Sequence, residues 1–272
     1  MHTETSSSQR SSLWAQRSLA WQLIRRDIAE RYRGSLFGIV WAFIVPLLML
    51  GIYTFVFTVV FKARWGMETS DAGLQSFAVI LFAGLIVHAF FAEVLTRSPA
   101  LILSNTNYAK KVIFPLGLLP VVCVASALFH TLISYVILFG AYLYVYETLP
   151  IGALWLPIIW VPFILFSLGI SWFLASLGVF LRDIAHIMGL FSMALLFLSP
   201  IFYPAEALPE AYRSFLALNP LTPIIEQSRA VLFEHKAPNW LIIGAYSAGG
   251  AVVAALGWAW FARTRKAFAD LL

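Results

Sequence analysis

The chain has 272 residues, 61% hydrophobic and 11% charged, with 18 Lys and Arg against 13 Asp and Glu. Soluble domains carry about 45–50% apolar and about 25% charged residues, so an ordinary soluble fold is excluded. The single Cys123 excludes a disulfide framework or a thiol metal site and reads as a small buried side chain.

The apolar residues fall into six long blocks, 36–61, 74–95, 116–146, 154–180, 184–203 and 240–262, broken only by Glu93 near the end of its block. Each exceeds the ~18 residues of a candidate membrane span. The expected fold is an all-α integral membrane protein with six transmembrane helices. A cytoplasmic segment, 1–35, precedes one membrane domain, 36–272. With both termini cytoplasmic, 13 of the 18 Lys and Arg fall inside and five outside. That bias fixes the orientation, and it makes the positive charge a topology signal with no nucleic-acid partner implied. Residues 1–12 are polar and no apolar core with a cleavage site follows, so a secretory signal is not expected.

In chain order, 13–33 reads as an amphipathic helix on the membrane surface. Trp14, Trp21, Ile24, Ile28 and Tyr32 gather on one side, and Arg26/Glu30 and Asp27/Arg31 stand at i,i+4. A basic helix with Trp on its apolar side suits anionic headgroups, as an anchor or as a docking element. Gly34 and Gly38 form a small-xxx-small pattern that permits close helix approach. Pro46 bends the first span. Tyr53, Phe57 and Phe61 then make an i, i+4, i+8 aromatic stripe, read either as packing or as the lining of a path for a ring-bearing substrate.

The inner connection 96–115 carries Arg97, Asn105, Lys110 and Lys111 and has room for a short helix near 99–103. Snorkelling at the interface accounts for the lysines; the length of the loop suggests a contact for a cytoplasmic partner. Arg182–Asp183 makes a tight turn between the fourth and fifth spans. The outer segment 204–236 is predicted to be a re-entrant helical hairpin between spans five and six, broken at Asn219–Pro220 and Pro223. Irregular backbone at that depth survives only when buried or lining a cavity, which points to a pore mouth or gate. Phe202 and Tyr203 join the stripe as channel-lining candidates; Asn219, Pro220, Glu226 and Arg229 are the gate candidates, with Glu226 and Arg229 pairing at i,i+3.

No G-x-x-x-x-G-K-[ST] phosphate loop, H-E-x-x-H or Cys/His cluster is present, so ATP held by that loop, metal and catalytic sites are not expected on this chain. His88, Glu93, His130 and His186 are too few and too dispersed for a coupled carrier. His88 and Glu93, five apart, lie on opposite faces. His130 reads as an interhelical hydrogen bond or a lone polar switch.

Together the stretches 26–41 with Pro46, 105–115, Arg182–Asp183, 199–204, 218–221 and 226–229 resemble, in order, the permease subunits of type-2 ABC exporters. The polysaccharide branch, in its O-antigen and teichoic acid types, matches better than the capsule type. The resemblance implies a homodimer in a bacterial inner membrane with two separate ATPase subunits that carry the ATP and Mg. It implies an undecaprenyl-linked polysaccharide substrate surrounded by membrane lipids. It also makes 96–115 the coupling loop, with Leu101, Asn105, Lys110, Lys111, Phe114 and Pro115 as its contact residues. A secondary carrier or a membrane-embedded glycolipid enzyme is the weaker alternative.

Overall fold

The computed structural model describes residues 4–60, 71–109, 114–207 and 209–268, all in helices, turns and short connections, with no strand among them. Phe61, Lys110 and Lys111 lie outside these residues, and Phe57 is described by its backbone alone.

Helix α1 (Glu4–Tyr32) leads through a turn to α2 (Trp41–Thr54), which continues as a π-helical stretch Phe55–Val60. Helices α3 (Asp71–Arg97), α5 (Leu118–Tyr146), α6 (Leu156–Phe180) and α10 (Trp240–Thr264) are the long apolar ones. Among the described residues these four, with their flanking turns, are long and apolar enough to cross a bilayer. Gly38–Thr54 and α7 (Ile184–Leu198) are apolar but shorter. The fifth block therefore yields less helix than its composition predicts. Ser199–Pro200 follows Leu198, and Ser199 is already extended at ψ 152°, as a residue before proline prefers. Between α3 and α5 stands the one-turn α4 (Thr106–Ala109); α8 (Glu210–Leu218) and α9 (Thr222–Phe233) precede α10.

α3 is the axis of the bundle. Phe90 meets Trp160 and Phe163 at centroid distances of 5.3 Å each, and Trp160 Nε1 donates to Tyr135 Oη at 3.0 Å. Edge and tilted ring contacts of this kind fill a core while keeping the polar ends satisfied. α6 and α10 pack through glycines: a Cβ on Gly257 would stand 2.1 Å from the Gly169 carbonyl oxygen, and one on Gly169 2.5 Å from that of Val253. Between helices in lipid, small residues let backbones touch and so supply the van der Waals contact that drives association. α10 begins at Asn239, whose side chain accepts from the Leu241 and Ile242 amides at 3.1 and 3.3 Å, an N-cap.

Gly34 and Gly38 do something else than the pattern predicts. Their φ values are +83° and +51°, and a Cβ on either would meet nothing within 4 Å. They shape the elbow from α1 into α2 by using the left-handed region open to glycine. The close approaches belong to the α6 and α10 glycines instead.

α1 also differs in detail. Leu23 is its most buried described side chain, whereas Trp21 is 61% exposed. Arg26 and Glu30 pair at 3.2 Å as expected. Asp27 pairs with Arg97 and Arg31 with Glu93, so the pairs with the largest structural consequence run to α3.

Candidate functional site

Three clusters position the expected functional residues. The first lies where α3 ends. The single short helix expected near 99–103 is replaced by 3₁₀ turns at Ser98–Ala100 and Leu103–Asn105, followed by α4. Pro99 at the start of the first turn removes an amide donor and tightens the backbone. Ser98 Oγ donates to the Val94 carbonyl at 2.6 Å and lies 2.7 Å from Ser171 Oγ on α6. A Cβ at Gly178 would lie 2.0 Å from the Pro99 carbonyl oxygen, so α6 and this turn touch backbone to backbone. Leu101 and Ile102 are buried in a small core with Leu119, Cys123, Ala175, Phe261 and Phe268. Leu101 is thus an anchor of the connection and not an exposed contact. Asn105 turns its amide inward to the Leu101 carbonyl at 2.9 Å, and Phe114 packs on the same core. Pro115 is half-buried and accepts the Leu118 amide at 2.9 Å. Among the described residues of the connection, Thr96, Ala100, Ser104 and Asn107 are exposed.

Beside that turn lies a charge network from three helices. Arg97 Nη2 donates to both oxygens of Asp27 at 2.8 Å, and Arg97 Nη1 to Glu93 at 3.1 Å. Arg31 donates to Glu93 as well, and His130 Nδ1 on α5 lies 3.1 Å from a Glu93 oxygen and 2.9 Å from Arg31 Nη1. His88, on the far side of α3, meets the Ser192 carbonyl of α7 at 2.9 Å, so the two faces separate as their spacing predicts.

The second cluster is at the opposite end of the bundle, where α8 and α9 are divided at Asn219–Leu221 as expected. Asn219 is a buried staple: its amide donates to Ser199 Oγ at 2.9 Å and the Leu198 carbonyl at 3.2 Å, while Oδ1 accepts the Leu221 amide at 2.9 Å. The Pro220 carbonyl accepts from Tyr246 Oη of α10 at 3.0 Å. Arg229 is 7% exposed. It donates to the carbonyls of Ile80 at 3.2 Å, Ile201 at 2.8 Å and Pro200. Its guanidinium joins the start of α3 to the turn after α7, a larger role than the expected pairing with Glu226. Burial pushes its pKa below the usual guanidinium range, and the carboxylate of Glu226 raises it in part. Gly84 makes the space: a Cβ there would lie 2.7 Å from Arg229 Nη2. A cavity of about 300 Å³ opens beside these groups, lined by Pro200, Pro204, Glu226, Gln227, Arg229 and Phe233.

The third cluster is aromatic. Tyr53, at the end of α2, meets Phe202 at 6.2 Å, and Phe202 meets Phe197 at 5.8 Å. Tyr203 Oη donates to the Phe197 carbonyl at 3.2 Å. Tyr53, Phe202 and Tyr203, three of the five channel-lining candidates, therefore gather beside the turn after α7.

The roles of Gly84, Ser171 and Gly178, and the pairing of Asp27 and Arg31 with Arg97 and Glu93, do not follow from the sequence reading. The signal available was a lone glycine in an apolar block and acids and bases one helical turn apart. Among the described residues no group of three or more His, Cys, Asp or Glu is placed to hold a metal.

A bundle of apolar helices, tied by charges at one end and by a buried arginine at the other, is a multi-pass membrane protein. The chain belongs to the ABC-2 type transporter family, whose family model matches residues 18–233. It is the membrane permease and not the ATPase, and permeases of this kind pair with a separate ATPase subunit. It is 29% identical over 252 residues to the O-antigen export system permease protein RfbA of Klebsiella pneumoniae, covering 92% of this chain and 93% of that protein. It is 26% identical over 260 residues to the protein of the same name from Myxococcus xanthus, covering 95% and 96%. The polysialic acid transport protein KpsM of Escherichia coli is 27% identical over 229 residues, covering 81% and 83%.

Proposed function

We propose that this chain is the permease of an ATP-driven exporter that carries a lipid-linked polysaccharide of the O-antigen type outward across a bacterial inner membrane. Six helices, α2, α3, α5, α6, α7 and α10, make the crossings, and α1 lies at the cytoplasmic side with both termini. Two copies form the path, and two ATPase subunits bearing ATP and Mg bind below, at the 96–115 connection. The exposed apolar faces of α2 (Phe43, Leu47) and α7 (Leu190, Met193) are where the second copy and lipid would seat. The observation that carries the reading is similarity to O-antigen export permeases along nearly the whole chain. A capsule substrate is the second reading, favoured by the similarity to KpsM over 81% of the chain.

The Tyr53–Phe202 pair supports a sugar path, because aromatic faces stack on the apolar C–H faces of pyranose rings. Replacing both by Leu keeps apolar volume, and Leu is favourable at membrane depth, so insertion should be unchanged. Surface glycan is expected to fall about tenfold, the factor that ~1.4 kcal/mol of lost interaction gives. Immunoblotting of extracted glycan beside membrane-fraction permease measures it. Normal glycan in the double variant assigns the pair to packing alone.

A further inference from the structure

The charge network does more than satisfy its members. Asp27 and Arg31 stand one turn apart on α1, and Glu93 and Arg97 one turn apart on α3, cross-matched as Asp27 to Arg97 and Arg31 to Glu93. The match defines a register. Sliding α1 by one turn either way brings Arg31 to Arg97 or Asp27 to Glu93, like charge on like, at partly buried positions where water screens them less. Glu93 is the centre, reached by Arg31, Arg97 and His130, and its side chain is only 13% exposed. Among the described α1 side chains only Leu23 is less than a tenth exposed, so buried apolar packing there contributes little to this register.

Arg97 is also the last residue of α3. One residue on, Ser98 is bonded to Ser171, and Pro99 lies against Gly178. The pair that holds α1 thus sits at the root of the 98–109 connection. A displacement of that connection pulls on Arg97 and through it on α1, and through Glu93 on His130 of α5.

We infer that Asp27, Arg31, Glu93 and Arg97 are a register lock that makes α1 and the 98–109 connection one moving unit, so that force from the ATPase reaches α1 and α5 together. The inference rests on the reading of that connection as the ATPase contact. The four residues position the moving parts and touch no substrate.

The test uses the whole permease–ATPase complex in lipid nanodiscs, with spin labels at Gln22→Cys and Ser104→Cys, both exposed positions. Native Cys123 is fully buried and out of reach of the label. In the parent complex, with one doubly labelled copy beside an unlabelled one, the Gln22–Ser104 distance is expected to stay single and unchanged between nucleotide-free and ATP-trapped states. In R97D it should broaden or shift by up to about one helical turn, ~5 Å. In D27R/R31D/E93R/R97D, which reverses all four charges and so keeps the cross-match and its like-charge penalty on slipping, it should narrow again. Export should follow the same order, falling about tenfold or more in R97D and recovering in the quadruple variant. If R97D does not assemble, Asp27→Asn removes the charge at constant shape and is expected to broaden the distance as well. A distance in R97D or Asp27→Asn identical to the parent in both states overturns the lock, as does a well-assembled quadruple variant that stays broad. Should the parent complex move no glycan, the proposed substrate fails while the distances still decide the lock.

Discussion

Arg229→Met is expected to lose the end of the fold where α8 and α9 join α3 and with it most of the recoverable permease. Methionine fills a similar volume but donates nothing, so the carbonyls of Ile80, Pro200 and Ile201 lose the donor that joins them. Each buried acceptor left unsatisfied costs ~1–3 kcal/mol, and a hydrogen bond to a charged group is worth ~1.5–3 kcal/mol. Either figure is a large fraction of a typical stability of ~5–15 kcal/mol. Gly84→Ala should reproduce the defect from the opposite side, since the new Cβ would lie 2.7 Å from Nη2 and displace the guanidinium. Detergent-extracted protein followed by size exclusion and a thermal melt is the measurement. Both variants should show a reduced monodisperse peak and a lower Tm, whereas unchanged profiles would make Arg229 a bystander.

Gly178→Val is the second large effect. A Cβ at this position would stand 2.0 Å from the Pro99 carbonyl oxygen, and the obstacle is backbone on both sides. No rotamer relieves it, so α6 and the turn after α3 must part by about 1 Å, and overpacking of this kind typically costs ~1–3 kcal/mol. Ser98 and Ser171, now 2.7 Å apart, would separate with them. Four spans and the outer end remain untouched, so membrane insertion should persist while docking of the ATPase and glycan export fall by an order of magnitude. Co-purification of the ATPase with tagged permease reads this directly. Full co-purification together with normal export would show that the close approach carries no function.

The helices were legible because each apolar block exceeds the length of a bilayer crossing and almost no charge interrupts it. Boundaries were less legible. The fifth block runs apolar to Tyr203, yet α7 stops at Leu198 because Ser199 precedes a proline, and composition does not register that turn. Arg182–Asp183 was correctly read as a tight turn, since α6 ends at Phe180 and α7 begins at Ile184. The division of the outer segment at Asn219–Pro220 was also visible, because proline breaks helices locally.

What the sequence hid is every contact set by distance in space. Asp27 and Arg31 look like an intrahelical pair, and only the fold shows that each faces α3. Glu226 and Arg229 look like another, but the arginine also reaches carbonyls 28, 29 and 149 residues away. Gly34 and Gly38 carry a helix-contact spacing yet serve an elbow, because spacing does not report the sign of φ. Leu101 shows the same limit for burial: a leucine in a polar loop reads as exposed until Phe261 and Phe268 are brought over it.

The most direct test of the exporter reading is transport in vesicles holding the permease with its ATPase. Inside-out vesicles given ATP and a lipid-linked O-antigen-type glycan on their outer leaflet are then probed with a glycan-cleaving enzyme. Protection of the glycan that requires ATP, the permease and the ATPase together is the predicted result. Glycan that stays fully accessible while the complex hydrolyses ATP normally would contradict it.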